Sequence, residues 1–129
     1  MAKKVLIVDD EPNIVTALDY LLHRNGYEVR IASNGEDALR QVEAFGPDLV
    51  LLDVMMPRQS GYDVCQRMRD RRDWNGIKIV ILSAKGRDAE VSKGLALGAD
   101  LYVTKPFSNA ELVARIEELL AERRPPGGA

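Results

Sequence analysis

Lys4-Val5-Leu6-Ile7-Val8-Asp9-Asp10-Glu11-Pro12 is the stretch from which the rest of the chain can be read. Val5 to Val8 form an apolar run with no polar alternation, as expected of a strand covered on both faces of a parallel sheet. Three acids end the run. Pro12 follows, and its fixed φ and missing N–H suit an early helical position. A strand that passes through a short polar turn into a helix is one β–α unit.

The unit recurs about five times along the chain. The strands are read as Lys4–Val8, Glu28–Ala32, Leu49–Leu52, Lys78–Leu82 and Leu101–Thr104. Glu28-Val29-Arg30-Ile31 alternates polar with apolar, which places that strand at one side of the sheet. Between the strands lie amphipathic stretches of helical length. Asn25-Gly26 stops the first helix, Ser33 and Glu36 have the spacing of a capping box, and Ser108 and Glu111 repeat it. Leu112, Val113, Ile116, Leu119 and Leu120 then recur at helical period, so the last helix presents an apolar stripe to the core. The fold class is α/β, a doubly wound (βα)5 domain on a parallel five-stranded sheet. Arg123-Arg124-Pro125-Pro126-Gly127-Gly128-Ala129 cannot continue a helix. Residues 3–124 are therefore read as one domain and 125–129 as a flexible tail or the start of a linker.

The chain has 129 residues, room for one hydrophobic core, with 46% hydrophobic and 29% charged residues as in ordinary soluble proteins. A net charge of −2 and a pI near 5.4 disfavour direct nucleic-acid binding. Cys65 alone cannot form an internal disulfide, and Val5 to Val8 is too short for a signal-peptide core or a membrane span. A cytoplasmic location without membrane attachment is expected.

The polar residues that end the strands carry the chemistry. Asp9 and Asp10 follow the first strand, Asp53 the third, Ser83 the fourth and Lys105-Pro106 the fifth. In open parallel sheets, ligands bind outside the carboxyl ends of the strands where the strand order reverses. For the order 2-1-3-4-5, adopted by analogy, that crevice lies between the first and third strands. Three carboxylates brought together repel one another and call for a compensating cation. All-oxygen ligands suit Mg2+, or Mn2+, and Mg2+ takes only one or two carboxylates while binding phosphate oxygens. Asp53 is then free to act as a nucleophile, with Lys105 and Ser83 meeting the charge on transferred oxygens.

Val5-Leu6-Ile7-Val8-Asp9-Asp10-Glu11, Asp48-Leu49-Val50-Leu51-Leu52-Asp53-Val54-Met55-Met56-Pro57, Ser60-Gly61, Ile81-Leu82-Ser83-Ala84 and Gly98-Ala99-Asp100 with Lys105-Pro106-Phe107 together resemble the receiver domains of two-component response regulators. The resemblance spans nearly the whole chain and implies a flavodoxin-like fold. It implies that Asp53 is phosphorylated by a sensor histidine kinase or a phosphotransfer protein, and that Asp10, Asp53 and the Met55 main-chain carbonyl hold Mg2+, with Asp9 acting through water. Ser83, Ala84 and Lys105 would bind the phosphoryl group. Lys105 and Pro106 would share a cis peptide, and Tyr102 would be the aromatic whose rotamer follows Ser83. Met55 and Lys85 would tune the lifetime of the phosphoryl group. The product is a switch for a downstream protein or output domain, not an enzyme. Val91 and Leu101 stand where a basic and an acidic residue are usual in the subfamily that pairs receivers, although Glu111 and Arg115 fit it, so a monomer or weak dimer is expected.

Plainer readings exist for single residues. Asp9-Asp10 alone would more often be solvated loop acids, Lys105 a surface lysine and Tyr102 a packing residue. Cys65 is expected to be buried, His23 exposed near the end of the first helix, and Trp74 a partial cover over the sheet edge. An aspartate-nucleophile phosphatase normally has a second acid two residues on, where this chain has Met55. A receiver-like module working without phosphorylation would have lost an acid or the lysine, and none is lost. Neither G-x-G-x-x-G nor G-x-x-x-x-G-K-[ST] occurs.

Overall fold

The computed structural model describes residues 2–56, 59–84 and 86–121. Five strands, β1 (Lys4–Val8), β2 (Glu28–Ala32), β3 (Leu49–Asp53), β4 (Lys78–Ser83) and β5 (Leu101–Thr104), alternate with five helices. The helices are α1 (Pro12–Arg24), α2 (Gly35–Phe45), α3 (Gly61–Arg69), α4 (Asp88–Ala96) and α5 (Asn109–Ala121). The strands form one parallel sheet in the order β2-β1-β3-β4-β5, so β2 lies at an edge as its alternating pattern requires.

Side chains alternate across a strand, and this divides the core in two. Leu6, Val8, Val50, Leu52, Ile79 and Ile81 point to the face covered by α2 and α3, where they meet Ala38, Val42, Val64 and Met68. Val5, Ile7, Leu49, Leu51, Val80 and Leu82 point to the other face and meet Leu18 and Leu22 of α1 with Leu112, Ile116 and Leu119 of α5. Neither face of the central strands reaches water, which explains their unbroken apolar runs. Each fully buried leucine or isoleucine adds about 1.5–3 kcal/mol of burial free energy.

Some local readings change, and one cap is new. β3 and β4 each run one residue further than expected, so Asp53 and Ser83 are the last residues of their strands. The cap of α2 is Asn34, not Ser33: its side chain accepts a hydrogen bond from the Asp37 main-chain N–H at 2.8 Å. A reciprocal capping box between Ser60 and Asp63 starts α3. Trp74, in a 3-10 turn at Arg72–Trp74, is buried in the α2/α3 core with the Arg71 guanidinium 3.9 Å above its ring. It is a core residue of that face and not a partial cover over the sheet edge.

Gly98-Ala99-Asp100 and Arg69 tie α3 to the start of β5. Arg69 Nη2 lies 2.9 Å from Asp100 Oδ2 with both side chains largely buried, and Arg69 Nε donates to the Gly98 carbonyl. The same Asp100 oxygen accepts from the Ile79 main-chain N–H at 2.9 Å. Lys85 and residues 122–129, including the expected tail and the domain limit at 124, lie outside the described residues.

Candidate functional site

The carboxyl ends of β1, β3, β4 and β5 meet on one side of the sheet, and each brings a polar residue. Asp9 follows β1 and is held on both sides: its N–H donates to the Ala32 carbonyl at 3.1 Å, and its Oδ1 accepts from the Glu11 N–H at 2.9 Å. Only 3% of Asp9 is exposed, while Asp10 beside it faces solvent. Asp53 closes β3 with 7% exposed, and its Oδ1 accepts from the Met55 N–H at 3.2 Å. Carboxylate oxygens of Asp9, Asp10 and Asp53 all lie within 4.8 Å of one another.

Lys105 enters from beyond β5. Its N–H donates to the Ser83 carbonyl at 2.8 Å, extending the pairing of β4 with β5 by one bond. Its Nζ stands 3.5 Å from Asp9 Oδ2 and 3.9 Å from Asp53 Oδ2. The Lys105–Pro106 peptide is cis. Ser83 at the end of β4 is fully buried, and Ala84 beyond it is exposed. The structure thus gathers Asp9, Asp10 and Asp53 within 4.8 Å of one another, pairs Lys105 with Asp9 and Asp53, and joins Ser83 to Lys105 through the main chain. The Met55 side chain turns outward, 56% exposed, while its N–H stays on Asp53.

Burial is the main force on Asp53 and pushes its carboxyl above the ordinary value of 3.8. The Met55 N–H pulls it down, Asp9 pushes it up, Lys105 pulls it down and Asp10 pushes it up. Among the described residues, the Lys105 ammonium faces three carboxylates, an excess of negative charge in a largely buried place. The donors are all oxygen, two of them fixed and one open to solvent, which is the set a small hard divalent cation accepts.

Gly61 determines how the site is closed from the α3 side. A Cβ there would stand 2.2 Å from the Asp53 carbonyl oxygen and 2.8 Å from its carbon, so the helix can lie this close only without a side chain. The Gly61 N–H donates to the Val54 carbonyl at 3.1 Å and fixes the turn.

Tyr102, in β5, belongs to a group that the sequence did not reveal. Its hydroxyl lies 3.5 Å from that of Tyr62, which also donates to the Glu90 carbonyl at 3.2 Å. Lys93 sits 4.6 Å from the Tyr62 ring centroid. Gly94 leaves room for the Tyr102 ring, whose Cδ2 would be 2.9 Å from a Cβ at that position. A glycine inside a helical pattern was the one available signal of close approach. Cys65 is buried, its thiol 3.6 Å from the Leu97 carbonyl and pushed up to about 11 by burial, and His23 is exposed beside Asp19.

Comparison with known proteins agrees with this geometry. The family model described as the response regulator receiver domain matches residues 5–117. The alkaline phosphatase synthesis transcriptional regulatory protein PhoP of Bacillus subtilis is 48% identical over 120 residues, which cover 93% of this chain and 49% of that protein. The chain spans about half the length of the curated relatives it matches. Among solved structures, the beryllofluoride-activated N-terminal receiver domain of Klebsiella pneumoniae RstA is 31% identical with a TM-score of 0.88, covering 93% of this chain and all of that one. The beryllofluoride-activated DrrB receiver domain is 36% identical with a TM-score of 0.85, covering 95% and 100%.

Proposed function

The chain belongs to the response regulator receiver family of two-component systems, and from that premise we propose that it accepts a phosphoryl group on Asp53 with the help of Mg2+. The observation that carries the reading is the group at the strand ends. A buried Asp53 lies within 4.8 Å of two further carboxylates and 3.9 Å from the Lys105 ammonium. Asp10, Asp53 and the Met55 main-chain carbonyl would hold Mg2+, with Asp9 acting through water; the same oxygen donors would also accept Mn2+. The ion would supply positive charge to the oxygens of the phosphoryl group.

Asp53 Oδ attacks the phosphorus of a phosphohistidine or an acyl phosphate. The new O–P bond forms as the bond to the donor breaks, and the donor leaves with the electron pair. Lys105 neutralises the oxygens of the transferred group, Ser83 and the Ala84 main chain bind them, and Met55 flanks the approach of water; Lys85, the second residue read as tuning the lifetime, lies outside the described residues. No acid stands two residues beyond Asp53, where an aspartate-nucleophile phosphatase would carry one, and the outward Met55 cannot replace it. Lasting phosphorylation is therefore favoured over turnover.

Receiver domains are signalling switches, not classical enzymes, and they meet histidine kinases and downstream output domains. For this chain we assign residues 3–124 to that unit and a cytoplasmic place beside its kinase; none of its described helices is long and apolar enough to cross a membrane. The signal leaves by the face of α4, β5 and α5 toward a protein partner. PhoP, a transcriptional regulatory protein by name, is about twice as long, and the proposal for this chain covers the receiver step alone.

Acetyl phosphate with Mg2+, followed by intact mass, tests the reading. One added phosphoryl group is expected, absent in Asp53→Asn. In Asp10→Ala, labelling should be slow and nearly independent of Mg2+. Phosphate found on another residue of the wild-type chain would refute the assignment.

A further inference from the structure

Tyr62 is the second residue of α3, directly after the glycine that lies against the Asp53 carbonyl. Displacement of the Asp53–Met55 main chain is passed to α3 with little slack. The two are joined by the Gly61 N–H on the Val54 carbonyl and by packing too tight for a Cβ. The Tyr62 ring is buried to 8% exposure under the Lys93 ammonium, so its position follows that of the helix. At the far end of the ring, one hydroxyl meets two other elements.

Its proton goes to the Glu90 carbonyl in the first turn of α4 at 3.2 Å. The Tyr102 hydroxyl lies 3.5 Å away, and either oxygen can supply the proton of that contact. Burial first, and then the neighbouring Tyr102 hydroxyl, hold the Tyr62 phenol above its usual range, so it stays a donor at neutral pH. Neither contact involves Ser83.

We propose that Tyr62 is a positioning residue of the switch, whose hydroxyl links the loop carrying Asp53 to α4 and to the Tyr102 ring. The role rests on the reading of Asp53 as phosphoacceptor. A donor to the Glu90 carbonyl holds the start of α4 against α3, and a hydroxyl partner for Tyr102 favours the ring position seen here over any other. Phosphorylation shifts the balance to the extent that it interacts differently with the two arrangements.

The test uses the full chain labelled with 3-fluorotyrosine. Four tyrosines give four fluorine signals, and Tyr62→Phe and Tyr102→Phe assign two of them. Tyr62→Phe keeps the ring and its packing but removes the hydroxyl. The Tyr102 signal is expected to move in this variant without any phosphoryl mimic, and the rate of Asp53 labelling by acetyl phosphate to change by roughly two- to fivefold, the effect of one modest hydrogen bond. In a Tyr102→Phe background, Tyr62→Phe should have a smaller effect than in the wild type, because only its contact with the Glu90 carbonyl is then left to lose.

An unmoved Tyr102 signal with unchanged labelling, or effects that multiply in the double variant, would overturn the role of Tyr62 while leaving Asp53 as phosphoacceptor. Failure of the wild-type chain to be labelled at Asp53 would overturn both.

Discussion

Replacing Asp53 by asparagine should make the protein more stable in the absence of a divalent cation. The Lys105 ammonium lies 3.9 Å from Asp53 Oδ2, worth about 4 kcal/mol of attraction at an effective dielectric constant near 20. Asp9, also buried and no more than 4.8 Å away, returns about 3.5 kcal/mol of repulsion on the same scale. The two nearly cancel. What remains is the cost of taking the Asp53 charge out of water, the largest influence on this carboxyl. Asparagine keeps the shape and an acceptor for the Met55 N–H while removing that cost. A gain of about 1–2 kcal/mol is expected, or roughly 3–12 °C in Tm for a domain of this size.

The pH dependence has a definite direction. The folded protein holds the Asp53 proton more tightly than the unfolded chain, so in the wild type the stability linked to this group is full below 3.8 and is lost as pH rises through the elevated folded value. The gap between variant and wild type should therefore be wide at neutral pH and close in acid. Mg2+ should narrow it at neutral pH by stabilising the wild type alone. Thermal unfolding followed by circular dichroism, with EDTA or Mg2+, at neutral pH and below 3.8, reads all of this. An Asp53→Asn protein that is less stable than the wild type in EDTA at neutral pH would refute the electrostatic reasoning.

Three further outcomes follow from the same geometry. Gly61→Ala should lower stability by about 1–3 kcal/mol in denaturant titration, since the new methyl must displace main chain at the Asp53 carbonyl, and it should slow labelling at Asp53 as well; unchanged labelling would separate the glycine from the site. Met55→Asn alters an exposed side chain and spares the main-chain carbonyl, so decay of the phosphorylated form should quicken without loss of Mg2+ dependence, as measured by intact mass over time. Sedimentation at micromolar concentration, with and without beryllofluoride, should show at most a weak dimer, because Val91 and Leu101 supply no charge to a face where Glu111 and Arg115 are exposed; a tight activated dimer abolished by Arg115→Ala would contradict this.

The strands and the acids at their ends were legible because the physics that forms them is local and one-dimensional. A strand buried on both faces needs an unbroken apolar run, and the first polar residue after it marks the sheet edge where ligands gather. That puts Asp9, Asp10 and Asp53 at strand ends, while the strand order that brings them side by side is not local and was taken by analogy. The α2 cap was misread by one residue for an equally local reason. Ser33 and Asn34 are both capping residues, and Glu36 and Asp37 are both acids three positions on, so the pattern fits two registers. Packing decides between them. Trp74 was misplaced because nothing in Arg72-Asp73-Trp74 signals a 3-10 turn that buries the indole. The group of Tyr62, Glu90 and Tyr102 was invisible, since its members are separated by 28 and 40 positions and meet only after three elements have packed.

The same packing explains why a change at Asp53 would be expressed in α4 before the sheet. The ends of β4 and β5 are pinned, with Ser83 opposite Thr104 and the Lys105 N–H on the Ser83 carbonyl. At its other end, β5 is tied to α3 and β4 through Asp100. A strand held at both ends and paired along its length cannot slide without breaking several hydrogen bonds at once. Helix α4 is more lightly held: Gly94 is its one buried residue, Leu95 is exposed, its N-cap Arg87 makes no side-chain cap, and the Tyr62 hydroxyl on the Glu90 carbonyl ties its first turn to α3. α3, of the same length, buries five residues and carries a full capping box. Regions with few buried contacts open and shift at low free-energy cost. A signal arriving at the fixed end of β3 therefore meets a stiff sheet on one side and a lightly held helix on the other, and the helix is the part that can move.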